Sequence, residues 1–191
     1  MSRKRKNPIE YALTAFNSLK ANQYRWDKML ISDAERAISR LFYDQVFSSG
    51  PDMSGFSTVL KHQWGLQDMT HDHYMAPQSV TKFIMDQADI VLDDYDYFLD
   101  CFMMCRKTHY VMKSQNEELS ALTKKTKVLT RDRYKHMGFN LYKGGKPNYV
   151  MKTPELEVPS YFTNWEEGYQ INGFRSTVVE NEVGNLEVHL N

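Results

Sequence analysis

At 191 residues, 41% of them hydrophobic and 13% aromatic, the chain can form one domain with a tail or two small domains, with enough apolar side chain for a true core. Nine Gly, six Pro and no low-complexity run exclude a disordered or fibrous chain, and no apolar run approaches the roughly 18 residues that span a bilayer. The formal net charge of zero conceals segregated blocks: nine Lys/Arg against four acids in residues 1–40, six Asp and no Lys/Arg in 85–100, twelve Lys/Arg against three acids in 106–152, and seven acids against one Arg in 153–191.

The third block is the kind of local excess that neutralises phosphates, although acidic and basic segments facing each other within a fold would use the same charges. The basic start, Met1 to Pro8, has no apolar region behind it and does not read as a secretory signal. Cys101 and Cys105, the only cysteines, are four apart in an apolar run, which places both on one helix face and indicates no disulfide framework. A reducing, cytoplasmic location is the expectation.

In chain order, the first helix is expected from Pro8 to about Ala21, with Ile9, Leu13, Phe16 and Leu19 at helical spacing, Pro8 in the first turn and Asn7 as cap. A second is expected from about Ser32 to Phe47. Ser32-Asp-Ala-Glu35 has capping-box spacing, Ile38, Leu41, Phe42 and Val46 form the apolar face, and Ser48-Ser-Gly-Pro-Asp52 stops it. Residues 56–64 fit a strand or a short helix, and Gly65 to Met75 reads as extended. After Pro77 a helix is expected from about Ser79 to Ala88, followed by a dense apolar run from Tyr95 to Met104. Arg106 to Met112 reads as the weakening end of that helix, since Thr108, Tyr110 and Val111 disfavour it. Ser114-Gln-Asn-Glu117 has capping-box spacing for a helix through Leu122. Gly144-Gly-Lys-Pro147 is the expected hairpin tip, and Ser176–Val179 and Leu186–Leu190 read as short β pieces.

The stretch Met69-Thr-His-Asp-His-Tyr-Met-Ala-Pro-Gln-Ser79 concentrates His71, Asp72 and His73. In an extended segment side chains alternate, so His71 and His73 share one face while Asp72 points to the other. Three polar residues before a Pro-containing turn also occur in ordinary solvated loops. Likewise His109 alone fits a histidine set against the carbonyls of a helix end, and Cys101, Met103, Met104 and Cys105 fit plain core. Lys124, Lys125, Lys127, Arg131, Arg133 and Lys135, interleaved with Tyr134, His136 and Phe139, could track a phosphate backbone or form a solvated basic face. The six aspartates from Asp86 to Asp100 match no calcium loop and read as surface.

Asp72-His-Tyr-Met-Ala-Pro-Gln-Ser79, together with Cys105-Arg-Lys-Thr-His109 and Lys113-Ser-Gln-Asn116, resembles the opening and the helical closing piece of the HNH (His-Me finger) nucleases, in the manner of small phage-encoded members. The resemblance covers residues 69–120. It implies an α+β fold, mostly helical, with a small ββα-metal-like core and a short β-rich C-terminal segment. Three regions would follow: an N-terminal helical region (1–55), an HNH-like core (56–122), and a basic segment with an acidic, β-rich C-terminal region (123–191).

It further implies a metal-dependent DNA endonuclease. Hydrolysis of a phosphodiester needs a water made nucleophilic and relief of charge at the leaving oxygen; a neutral imidazole supplies the first and a divalent cation the second. On the resemblance His73 is the general base, Asp72 a metal ligand, His109 a second ligand arriving from a helix, Asn116 its substitute and His71 an extra one. The cation would be Mg2+ or Mn2+, with Zn2+ on His71, His73 and His109 as a further option. DNA is the implied partner, and host-cell cytoplasm the place if the protein is viral. The competing expectation is a non-enzymatic viral protein that binds nucleic acid or another protein, with His71–His73 in a loop.

Overall fold

The structure is a computed structural model that describes residues 7–26, 28–66, 68–126, 133–146, 150–151, 176–180 and 186–190. The fold is α+β. It divides into two compact units, Met1–Glu157 and Val158–Asn191. In the second, β6 (Ser176–Glu180) pairs antiparallel with β7 (Leu186–Leu190), Val178 opposite Val188, at the two segments read as β from their sequence.

In the first unit, α1 (Pro8–Trp26) begins as its sequence dictates, with the Ile9 amide donating to Asn7 Oδ1 at 3.2 Å and Ala12, Ala15, Phe16 and Leu19 turned inward. Against it lies α2 (Ile31–Ser49), burying Ile38, Phe42, Tyr43 and Val46. The capping box expected at Ser32 does not form. The helix opens a residue earlier, and the Leu30 carbonyl accepts from the Asp33 and Ala34 amides instead. Gly50, at φ 82°, closes it, a conformation that glycine adopts without steric cost. Next come α3 (Pro77–Asp86), with Pro77 in its first turn, and the single turn α4 (Ala88–Val91).

Asp94 heads α5 (Tyr95–Cys105), its Oδ1 accepting from the Asp96 and Tyr97 amides at 2.9 and 3.4 Å, so this member of the acidic block is a helix cap. Phe16, Phe42, Phe98 and Phe102 from three helices meet edge to face, with centroids 5.3 Å apart for Phe16–Phe98 and 5.7 Å for Phe42–Phe98 and Phe42–Phe102. Each such ring taken out of water contributes about 1.5–3 kcal/mol, which makes this cluster the main anchor of the helical layer. Cys101 and Cys105 sit buried and unpaired in the same layer, as core.

The sheet has the order β2-β3-β1-β4-β5. Its strands are β1 (Asp52–Ser57), β2 (Met69–His73), β3 (Lys107–Met112), β4 (Leu141–Lys143) and β5 (Val150–Met151), with a 3₁₀ turn at Lys61–Gln63. β3 lies between two neighbours, antiparallel to β2 and parallel to β1. Residues 107–112 are thus a strand, not the end of α5. Thr108, Tyr110 and Val111, which weaken a helix, suit a pleated surface, and two neighbours stand ready to pair with them. Gly144 and Gly145 turn between β4 and β5 at φ 59° and 66°, as the sequence indicates.

Directly after β3 comes α6 (Lys113–Thr126). Its start is secured by Gln115, whose Oε1 accepts from the Met112 amide at 3.1 Å and the Thr58 hydroxyl at 2.6 Å, rather than by the expected Ser114–Glu117 box. Phe56, Val111 and Leu119 form a second core with Tyr134, from the short α7 (Arg133–His136), and Leu141.

Candidate active site

The β2–β3 pairing sets Asp72 opposite His109 and His73 opposite Thr108. Alternation along the two strands then sorts the chemistry by face, as expected for β2. His73 meets α2, its ring 5.0 Å from Phe47 and 5.9 Å from Tyr43. Asp72 and His109 meet α7 on the other side: Tyr134 donates its hydroxyl to Asp72 and lies 5.2 Å from the His109 ring.

At the end of β2 a cleft of about 360 Å³ opens, lined by His71, Asp72, His73, Asn116, Ser120 and Arg133 among others. Asn116 and Ser120, one helical turn apart on α6, reach it together. Phe47, largely exposed, forms part of its rim. Of the residues singled out from the sequence, His71, Asp72, His73, Asn116 and Arg133 thus converge on one cleft.

The neutral His73 ring is held in one tautomer. Its Nδ1 lies 2.7 Å from the Cys105 carbonyl oxygen. A carbonyl only accepts, so the proton is on Nδ1 and the lone pair on Nε2, which makes no hydrogen bond to another described residue. Burial lowers its pKa below the usual histidine value; the Cys105 carbonyl and Asp72 offset part of that effect. The imidazole is therefore a neutral base at neutral pH.

Asp72 is 6% exposed and already engaged. Its Oδ2 accepts from Arg133 Nη2 at 3.0 Å and from the Tyr134 hydroxyl. The same Nη2 donates to the His73 carbonyl at 2.7 Å, tying α7 to the end of β2. Arg133 is only 2% exposed, so it is not the solvent-facing backbone tracker expected from the basic segment, and Tyr134 is core rather than a platform for bases. Lys135 is exposed; Lys124 and Lys125 lie in the last turns of α6, while Lys127 and Arg131 fall outside the described residues. Nothing in the sequence marks the Asp72–Arg133 pair, whose members are 61 positions apart.

His109 departs from its expected role. It stands on β3 rather than a helix and is fully buried, outside the cleft lining. Its Nδ1 is 2.6 Å from Ser54 Oγ, the rings of Phe56, Tyr74 and Tyr134 surround it, and its Nε2 has no partner among the described residues. Burial, with a smaller push from Arg133, lowers its pKa to about 3, so it stays neutral.

A cation at Asp72 would need that carboxylate free and a second donor beside it. As folded, Asp72 Oδ2 is engaged by Arg133 and Tyr134, and His109 is tied to Ser54 away from the cleft lining, so of the expected donors His71, His73 and Asn116 remain at the cleft. No group of three or more His, Cys, Asp or Glu side chains suited to a metal occurs among the described residues. As placed, Asp72 and His109 do not offer Mg2+ or Mn2+ a shared site at the cleft, and His109 does not join His71 and His73 around Zn2+. Among the described residues no helix is long and apolar enough to cross a membrane. Comparison with protein-family profiles, curated proteins and solved structures gives no match.

Proposed function

We propose that the chain hydrolyses phosphodiester bonds in nucleic acid, with DNA as the expected polymer and His73 as general base. The observation that carries this reading is the 2.7 Å contact between His73 Nδ1 and the Cys105 carbonyl, which leaves an unprotonated Nε2 on a residue of the cleft wall. An imidazole so oriented takes the proton from a water as the water oxygen bonds to phosphorus, and the leaving oxygen departs with the bonding pair. The placement of α6 gives further support: it follows β3 at once, β3 is antiparallel to β2 although α3, α4 and α5 lie between them in the chain, and Asn116 of α6 lines the same cleft as Asp72 and His73.

The test is cleavage of plasmid and single-stranded DNA by the full chain and by His73→Ala. The variant should lose about 100-fold or more in rate, the usual contribution of a positioned base, with an unchanged circular dichroism spectrum. Equal cleavage by the two proteins would remove His73 from the chemistry. A second reading, nucleic-acid or protein binding without turnover, is favoured by the Asp72–Arg133–Tyr134 trio, which satisfies a buried carboxylate with no substrate present. It is distinguished by DNA binding that survives in His73→Ala while neither protein cleaves.

A further inference from the structure

We propose that Arg133 stands where the HNH resemblance calls for a divalent cation: its guanidinium, docked on Asp72 at the cleft wall, supplies the positive charge that meets a phosphate, and the protein binds that phosphate without metal. This rests on the reading of the cleft as a phosphodiester site. Three observations carry it. Asp72 Oδ2 already accepts from both Arg133 and Tyr134. Opening it to a metal would strand a buried guanidinium, which is costly because no water replaces the lost partner.

The second observation is that Arg133 is not used up by Asp72. Its Nη2 serves Asp72 and the His73 carbonyl, whereas its Nε is buried with no hydrogen-bond partner among the described residues. Buried N–H groups of a charged side chain are rarely left without an acceptor, so a spare one on a residue of the cleft wall points to an acceptor supplied by a ligand. The third is the company it keeps. Asn116 and Ser120 line the same cleft and bring an amide and a hydroxyl as further neutral donors, and His73 lies beside them for the water. Arginine suits this task because it stays charged while Nη2 is held by Asp72 and the His73 carbonyl, with Nε–H left to donate to a phosphate oxygen.

In the hydrolytic step the water oxygen bonds to phosphorus and its proton passes to His73 Nε2. The bond to the leaving oxygen breaks with its electron pair, and that oxygen takes a proton from solvent. Charge gathering on the non-bridging oxygens is met by Arg133. No oxidant, reductant or metal enters the balance.

The test uses the full chain in EDTA. Inorganic phosphate binding is followed by isothermal titration calorimetry, Mn2+ binding by electron paramagnetic resonance after removal of EDTA, and DNA cleavage in both buffers. The wild type should bind phosphate and cleave DNA in EDTA, and should bind no stoichiometric Mn2+. Arg133→Met should lose phosphate binding and about 100-fold or more of the cleavage rate, the scale on which a charge-stabilising donor acts. Arg133→Lys keeps a charge on Asp72 but lacks the Nε–H, so it should stay folded and weaken phosphate about tenfold or more. One Mn2+ bound per wild-type chain, with phosphate binding and cleavage both abolished by EDTA, would overturn the proposal, and this outcome needs no variant to fold. Phosphate binding that depends on Arg133 in a protein that cleaves no DNA would sustain the anion site while removing the hydrolytic reading. Phosphate binding equal in wild type and Arg133→Lys, or absent from the wild type, would remove the site.

Discussion

At the scale of single residues, the histidines of β2 and β3 show how the same side chain is set to different tasks by what its nitrogens meet. His73 has one nitrogen on a carbonyl and lies at a cleft; His109 has one on a hydroxyl and is enclosed by rings. Both have pKa values lowered by burial, to about 3 for His109. In the unfolded chain each returns to about 6.5. Between those values the unfolded chain binds protons that the folded chain refuses, so stability is full above about pH 6.5 and is lost as pH falls towards the folded value. One such proton changes stability by about 1.4 kcal/mol per pH unit. Urea unfolding should therefore show a decline from pH 6.5 to 5, a window in which most carboxylates stay charged, and His109→Gln should remove about 2 kcal/mol of that decline. A decline unchanged in the variant would show that His109 is protonated when folded. The chemistry of His71, Asp72 and His73, and their alternation, was legible from residue types. The burial of His109 was not, because it depends on rings at 56, 74 and 134 that meet only after folding.

At the scale of elements, helices were read from the sequence wherever apolar spacing and a cap agreed, as in α1 with Asn7 and in the arrest of α2 at Gly50. The reading failed where pairing partners lay far along the chain. β3 is short and follows α5 without a break, so its period merges with the helix before it; only β1 and β2 on either side make it a strand. The β4–β5 turn was legible from Gly144-Gly145, and the structure adds a reason for the second glycine. A Cβ on Gly145 would lie 2.8 Å from the Lys61 backbone nitrogen, whose amide also donates to the Gly145 carbonyl at 2.8 Å. Gly145→Ala should thus cost more than Gly138→Ala, where a Cβ meets nothing within 4 Å and only the positive φ of 69° is penalised, at about 1–2 kcal/mol. Denaturant melts of the two variants check this. Equal losses would mean that the Lys61 turn moves aside freely.

At the scale of the whole molecule, the segregated charge is partly spent within the fold. Asp94 caps α5 and Asp89 accepts from Gln23 Nε2 at 2.8 Å, so the acidic block's total overstates its free charge. Lys135 remains outward on α7, one residue from the Tyr134 that anchors the site. If nucleic acid lies along this face, Lys135→Ala should weaken DNA binding evenly across sequences and lower the dependence of log affinity on log salt by about one unit, the release associated with a single phosphate contact. An unchanged salt slope would place the polymer elsewhere. The most direct measurement of all is the pH dependence of single-turnover DNA cleavage by the wild type and His73→Ala. With a neutral His73 as base, the wild-type rate should hold level above about pH 6.5 and fall tenfold per unit below the pKa of that imidazole, whereas His73→Ala should be slow and lack the acid limb. A wild-type rate with no acid limb at any pH at which the protein stays folded, or a variant retaining both the rate and the limb, would contradict the assignment of His73 as the base.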